Sequence, residues 1–312
     1  MNAPTRTQVK VLRTLQNQTV WLNNAVATAT QRQQQTGQSP PPSWYEDYHG
    51  RAILHEELTN AARAGGVPKA WIDHVHERGQ RGVAWRADLY LRAPEVVEWN
   101  RILGDLDLDV RRLREWASLD VACAQLRPET GTGGSFDFDR NLNILRSRTA
   151  GVANLLGLTA EQGHQLWGDA SDWAQAGAAA LGGVPAEGLL QRWRAAAHTN
   201  LGAYGLQSIA LAAAGVTTAT TVALPSPEEL SSALDVALEP VQPLFRAPVS
   251  SSEAIHTALS AANLTYDTDK QSASGPGLFS DAPRADGSSF DPDVEPDIPV
   301  PEFISPAWGL EQ

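Results

Sequence analysis

Cysteine is almost absent: Cys123 stands alone among 312 residues. Neither an intramolecular disulfide nor a multi-thiolate metal site can form within the chain, and a reducing, cytoplasmic setting is the natural fit. Lysine is nearly as scarce, with Lys10, Lys69 and Lys270 set against 21 arginines. With abundant alanine, that imbalance reads as a G+C-rich, bacterial type of coding sequence rather than as chemistry. The opening residues Met-Asn-Ala-Pro-Thr-Arg lack the apolar stretch of about 7–15 residues that a secretory signal requires. Between Ala195 and Pro227 there is no Asp, Glu, Lys or Arg, a length that could span a bilayer. Its strongly apolar members are few and are diluted by Gln207, Ser208 and threonines. A buried Ala-rich helix is therefore expected there, and a membrane span near 201–224 is the minor reading.

What the chain has in quantity is acid, and it is unevenly placed. Residues 1–150 carry 19 basic and 17 acidic side chains, residues 151–215 carry 2 and 4, and residues 216–312 carry 3 and 15. The net charge of −12 thus belongs to the last third. No global basic field for nucleic acid exists, although the near-neutral remainder leaves room for a local basic face.

Hydrophobic spacing predicts an all-α protein, organised as a multi-helix body in two helical regions, a semi-detached N-terminal helix and a disordered acidic tail. Residues 1–30 hold the first helix, with Val11, Leu12, Leu15, Leu22 and Val26 near a 3.6-residue period. The Gln- and Pro-rich run 31–43 reads as a linker. Residues 44–127 form the first helical region. It contains a corner at Gly65-Gly66-Val67-Pro68 and a strongly amphipathic segment opened by Pro94, apolar at Trp99, Leu103, Leu106, Val110, Leu113, Ala117, Val121 and Ala124 and expected to pack on one side. A Gly-rich joint at 128–135 leads to an Ala-rich region over 136–216. Helices are expected there near 137–156, after the capping Thr159, near 170–181 and from Pro185 to about Ala214. Residues 217–264 hold two short helices, after Ser226 and after Ser252. Residues 265–312 show no periodicity.

The segment Leu58 to Glu77 resembles a DNA-binding helix-turn-helix over about twenty residues, with Ala62, Gly66, Val67, Ile72 and Val75 at the matching positions. The resemblance implies DNA contacts from Arg63, Lys69, His74, Arg78, Arg81 and Arg86. The helix face that would enter the groove also offers Asp73 and Glu77, which phosphate repels. Gly182-Gly183-Val184-Pro185 repeats the corner, which favours plain helix packing for both.

Other apparent motifs fail on geometry. His74 and His76 are two apart and point away from each other on a helix, so they cannot chelate one ion and read as a solvated face. Asp105, Asp107 and Asp109 start like a calcium loop, but Val110 and Trp116 stand where glycine and glutamate are needed. They read as the polar face of a helix. Gly131 to Ser135 lacks the lysine and preceding strand of a phosphate loop. Catalytic residues, metal ligands and cofactors are accordingly expected to be absent, and Cys123 to be a semi-buried, inert thiol. In the tail, Phe303, Ile304, Trp308 and Leu310 follow the acidic run Asp291 to Asp297, the composition of a docking peptide.

The expected function is that of a non-enzymatic binding or adaptor protein, its body engaging one protein partner and its tail another, with self-association through the N-terminal helix a further option. A DNA-binding accessory role through residues 58–77 is the alternative, and a single-span membrane anchor near 201–224 the third.

Overall fold

The computed structural model describes residues 3–86, 89, 91, 98–126 and 135–239, and among these residues every regular element is an α-helix. They are α1 (Arg6–Thr36), α2 (Pro42–Ala64), α3 (Lys69–Gln80), α4 (Trp99–Leu126), α5 (Ser135–Leu156), α6 (Ala160–Trp167), α7 (Ala170–Leu181), α8 (Ala186–Ala197), α9 (Gly202–Ala213) and α10 (Pro227–Leu238). The all-α expectation is met.

Helix α1 starts in a capping box in which the Thr5 hydroxyl accepts from the Gln8 N–H and the Gln8 carboxamide oxygen accepts from the Thr5 N–H. It continues through residues 31–36, which the glutamine content suggested were linker, and stops where Gly37 adopts φ +70°. Glutamine is a good helix former, and a left-handed cap favours a residue with no Cβ. The helix is integral to the body along its first half rather than separated from it. Val11, Leu12 and Leu15 are fully buried where its first half lies on α2 and α3, while residues 30–36 are exposed. Gly79 permits the close α1–α3 crossing, since a Cβ there would lie 2.6 Å from Thr19 Cβ and 2.9 Å from the Gln16 carbonyl oxygen.

The first Gly-Gly-Val-Pro corner forms as its residues dictate. Gly66 takes φ +72°, the Val67 N–H returns to the Ala62 carbonyl at 2.9 Å, and α3 begins after Pro68. The second corner separates α7 from α8 with Gly183 at φ +79°. Capping boxes at Thr159, Asp169 and Ser226 open α6, α7 and α10.

Two expectations are corrected. The single helix expected from Pro185 to Ala214 is broken at His198–Leu201 into α8 and α9. The buried Asn141 side chain places its Nδ2 2.9–3.0 Å from the carbonyls of Ala196, Ala197 and Thr199, and the Asn200 carboxamide oxygen accepts from the Gly202 N–H at 2.9 Å. Helix α4, expected to pack on one side, meets α5, α7, α8 and α10. Trp116, Ala117, Ser118, Leu119, Ala122 and Cys123 are all buried along its second half.

The aspartate triplet also departs from a solvated face. Asp109 is 4% exposed whereas Leu108 is 63% exposed. The Asp109 carboxylate pairs with Arg148 of α5 and accepts from the Tyr204 hydroxyl at 3.0 Å. Arg148 Nε donates to the Gln207 oxygen at 3.2 Å, and Gln207 Nε2 donates to Glu57 at 2.9 Å. Four helices, α4, α5, α9 and α2, are joined by this one polar chain. One cluster of buried apolar residues runs from Val11 to Leu238, and all described residues fall within a compact unit, Met1–Ser250.

The 201–224 segment is the twelve-residue α9 followed by non-helical chain. No helix among the described residues is long and apolar enough to cross a membrane. Pro94, residues 128–134 of the joint, the helix expected after Ser252 and the whole of 265–312 lie outside the described residues.

Candidate functional site

Helices α1, α2 and α9 enclose an open groove of about 940 Å³. Its apolar walls are Trp21 and Leu22 of α1, Ile53 and Leu54 of α2, and Leu206 and Ile209 of α9. Ile53 is 47% and Ile209 57% exposed, so the groove presents large aliphatic side chains to solvent. Gly50 lines it without filling it, having no atom within 4 Å of where a Cβ would stand. The indole of Trp21 is held by the Arg51 guanidinium 4.1 Å from its ring centroid, and Arg51 Nε in turn donates to Asp47 at 3.1 Å. A cation over an indole face is an electrostatic attraction that orients both partners. Past Trp21, a second hollow of about 360 Å³ lies between α1 and residues 38–44, lined in part by Ala25, Pro40, Pro41 and Trp44. The Trp44 ring stacks on Tyr48 with centroids 5.2 Å apart.

The residues of the helix-turn-helix-like element differ in exposure. Arg63, Lys69, Arg81 and Arg86 are exposed, while His74 and Arg78 are half-buried. Lys69 Nζ is paired with Asp73 and Arg81 Nε donates to the Glu77 carbonyl. The outer face of α3 thus carries acid and base together, and its inner face buries Trp71, Ile72 and Val75. The docking residues Phe303, Ile304, Trp308 and Leu310 lie outside the described residues.

His76, expected on a solvated face, is half-buried. Its ring lies 4.8 Å, centroid to centroid, from His55 of α2. His55 places Nδ1 3.2 Å from the Gln18 carboxamide oxygen and Nε2 3.5 Å from the Thr19 hydroxyl, both on α1. Burial, reinforced by His76, depresses the His55 pKa to about 4. Burial also lowers that of His76, with Asp73 acting against the shift and Arg63 adding to it. The signal for this pair was weak in the sequence: His76 falls four after Ile72 and three before Gly79, on the inward face of α3, yet nothing local names His55 as its neighbour.

Elsewhere, His164, Asp169 and Asp172 bring ligand atoms within 4.8 Å of one another, all exposed. Both carboxylates already accept backbone N–H groups in the α7 cap. Cys123 is buried. Asp120 on α4 has its pKa raised to about 6, by burial first and by the Asp139 carboxylate second. A carboxyl that is harder to ionise folded than unfolded stabilises the fold below its unfolded pKa and loses that contribution as pH rises through about 6. Asp120→Asn should therefore raise stability at pH 7.5 by about 1–2 kcal/mol, after allowance for residual solvent, and leave it unchanged near pH 3.5. Urea melts of the variant at the two pH values measure both.

Comparisons with protein-family models, curated proteins and solved structures find no match to this chain. Its function has to be argued from the surface and its chemistry.

Proposed function

We infer that this chain is a non-enzymatic binding protein whose helical body seats an apolar segment of a protein partner in the α1–α2–α9 groove, and whose acidic C-terminal region offers a second docking segment at Phe303, Ile304, Trp308 and Leu310. The observation that carries this reading is the groove itself, about 940 Å³ and open, with half-exposed Ile53 and Ile209 at its lip. Exposed aliphatic side chains gathered around a concavity mark contact sites rather than folding requirements. A helical groove with a fixed indole wall suits an apolar helix face or extended peptide.

Charge placed in the groove tests this without touching the core. Ile53→Arg with Ile209→Arg should change the unfolding free energy by no more than about 0.5 kcal/mol at these exposed positions. It should weaken capture of the body's partner by thirtyfold or more, as a burdened central contact costs about 2 kcal/mol or more. The partner of the C-terminal segment should be retained by this variant and lost from a chain that ends at Leu264. Identical partners retrieved by all three chains would refute the reading.

A further inference from the structure

Of four buried side-chain atoms without a hydrogen-bond partner among the described residues, Arg146 Nη1 lies on α5, and the other three, Gln16 Oε1, His76 Nε2 and Arg78 Nε, come from the facing helices α1 and α3. Their residues flank the Gly79 crossing, where a Cβ on α3 would meet Gln16 and Thr19 of α1. The His55–His76 pair sits at the same junction, against Gln18 and Thr19. A stretch of interface that should be the tightest on α1 is therefore the least satisfied, and each such group costs stability that apolar packing would not.

We propose that the His55–His76 pair is an acid-operated latch on α1: protonating the imidazoles loosens the N-terminal helix from α2 and α3 and, with it, one wall of the groove.

The argument is one of neighbours. In the closed state both rings are neutral, and the contact of His55 Nδ1 with the Gln18 oxygen assigns the proton to Nδ1. A second proton on His76 makes both of its nitrogens donors, and Nε2 has no acceptor. Two imidazolium rings 4.8 Å apart repel each other in a partly dry site. Against this the packed elements set one neutral acceptor, Thr19 Oγ1, 3.5 Å from His55 Nε2 with its own proton given to the Leu15 carbonyl, and little opposing charge. Helix α1 carries Arg6, Lys10, Arg13 and Arg32 and no carboxylate, so it answers positive charge with more of the same. From α2 the group facing His76 is Arg63, also positive, and only Asp73 of α3 acts in the opposite direction. Helix α9, which packs on α2, contains no charged residue. Gln18 belongs to both structures at once, lining the groove and bonding His55, so release of the latch reaches the groove directly. The proposal does not depend on what the groove binds.

The sign follows from the depressed pKa values. The opened state takes up protons near pH 6.5, and the closed His55 only near pH 4, so closure is favoured above the first value and lost as pH falls toward the second. Native-state hydrogen exchange of the full chain at pH 7.5 and pH 4.5 reads the effect helix by helix. The opening constant of α1 amides should rise about 30- to 100-fold in acid, with no comparable rise in α4, α5 or α7. The response should disappear in His55→Gln combined with His76→Gln, which keeps polar atoms but cannot be charged; His55→Gln alone, which removes the group whose own burial holds its pKa near 4, should lose most of it and serves if the double variant does not fold. A rise of at least tenfold confined to α1 and its α2–α3 contacts, abolished by the substitutions, establishes the latch. A smaller rise, one shared equally by α4, α5 and α7, or one that survives loss of the histidines overturns it.

Discussion

Asp109→Ala is expected to lower the unfolding free energy by about 3–5 kcal/mol, among the largest effects any single change at a polar residue of this chain can have. The substitution strands the Arg148 guanidinium, which is 7% exposed and whose pKa burial already lowers. It also frees the Tyr204 hydroxyl, which donates to Asp109. Truncating one partner of a buried ion pair is costly because the survivor keeps its desolvation penalty and loses its compensation. Exchanging both charges, Asp109→Leu with Arg148→Met, should recover most of the loss. It should not recover all of it, because Tyr204 and Gln207 would then each lack the partner they have now, at about 1 kcal/mol apiece. Urea melts of Asp109→Leu, of Arg148→Met and of the two combined give the coupling energy, and additive losses would show that the pair does not act as a unit.

Asn141→Asp should cost about 3 kcal/mol. The Asn141 amide nitrogen faces three carbonyl oxygens at the end of α8, and an aspartate would present a buried charge with no donor to a ring of acceptors. Asn141→Leu, which removes the donor without adding charge, should be the milder change. The ordering of the two midpoints is the informative result: equal loss would mean that volume alone matters at this position.

The same asparagine explains where the sequence was readable and where it was not. Corners and caps are local chemistry, and the Gly66–Pro68 corner and the helix starts at Thr159 and Ser226 were legible as residue types in place. The α8–α9 break depends on a side chain 55 to 58 residues earlier, and an Ala-rich run around it looks continuous. Only Asn200 before Gly202 offered a local hint, a side chain poised to accept from the next helix's first turn. The buried Asp109 was hidden for a related reason, since alternation of aspartate and leucine on a helix cannot reveal that an arginine arrives from α5. The groove was least visible of all. Its walls come from residues 14–22, 46–54 and 206–209, and periodicity reports which face of a helix is apolar but not which of those faces another helix leaves uncovered.

Lys10 Nζ donates to the Gly215 carbonyl at 3.1 Å, across 205 positions of chain, and α1 finds most of its cover on α3. During synthesis this helix leaves the ribosome before α2 and α3. At on the order of 10 residues per second, the apolar stripe of Val11, Leu12 and Leu15 waits several seconds for α3 and on the order of 20 seconds for Gly215 to be made. The nascent chain must carry that stripe uncovered for the interval, long after α1 itself could coil.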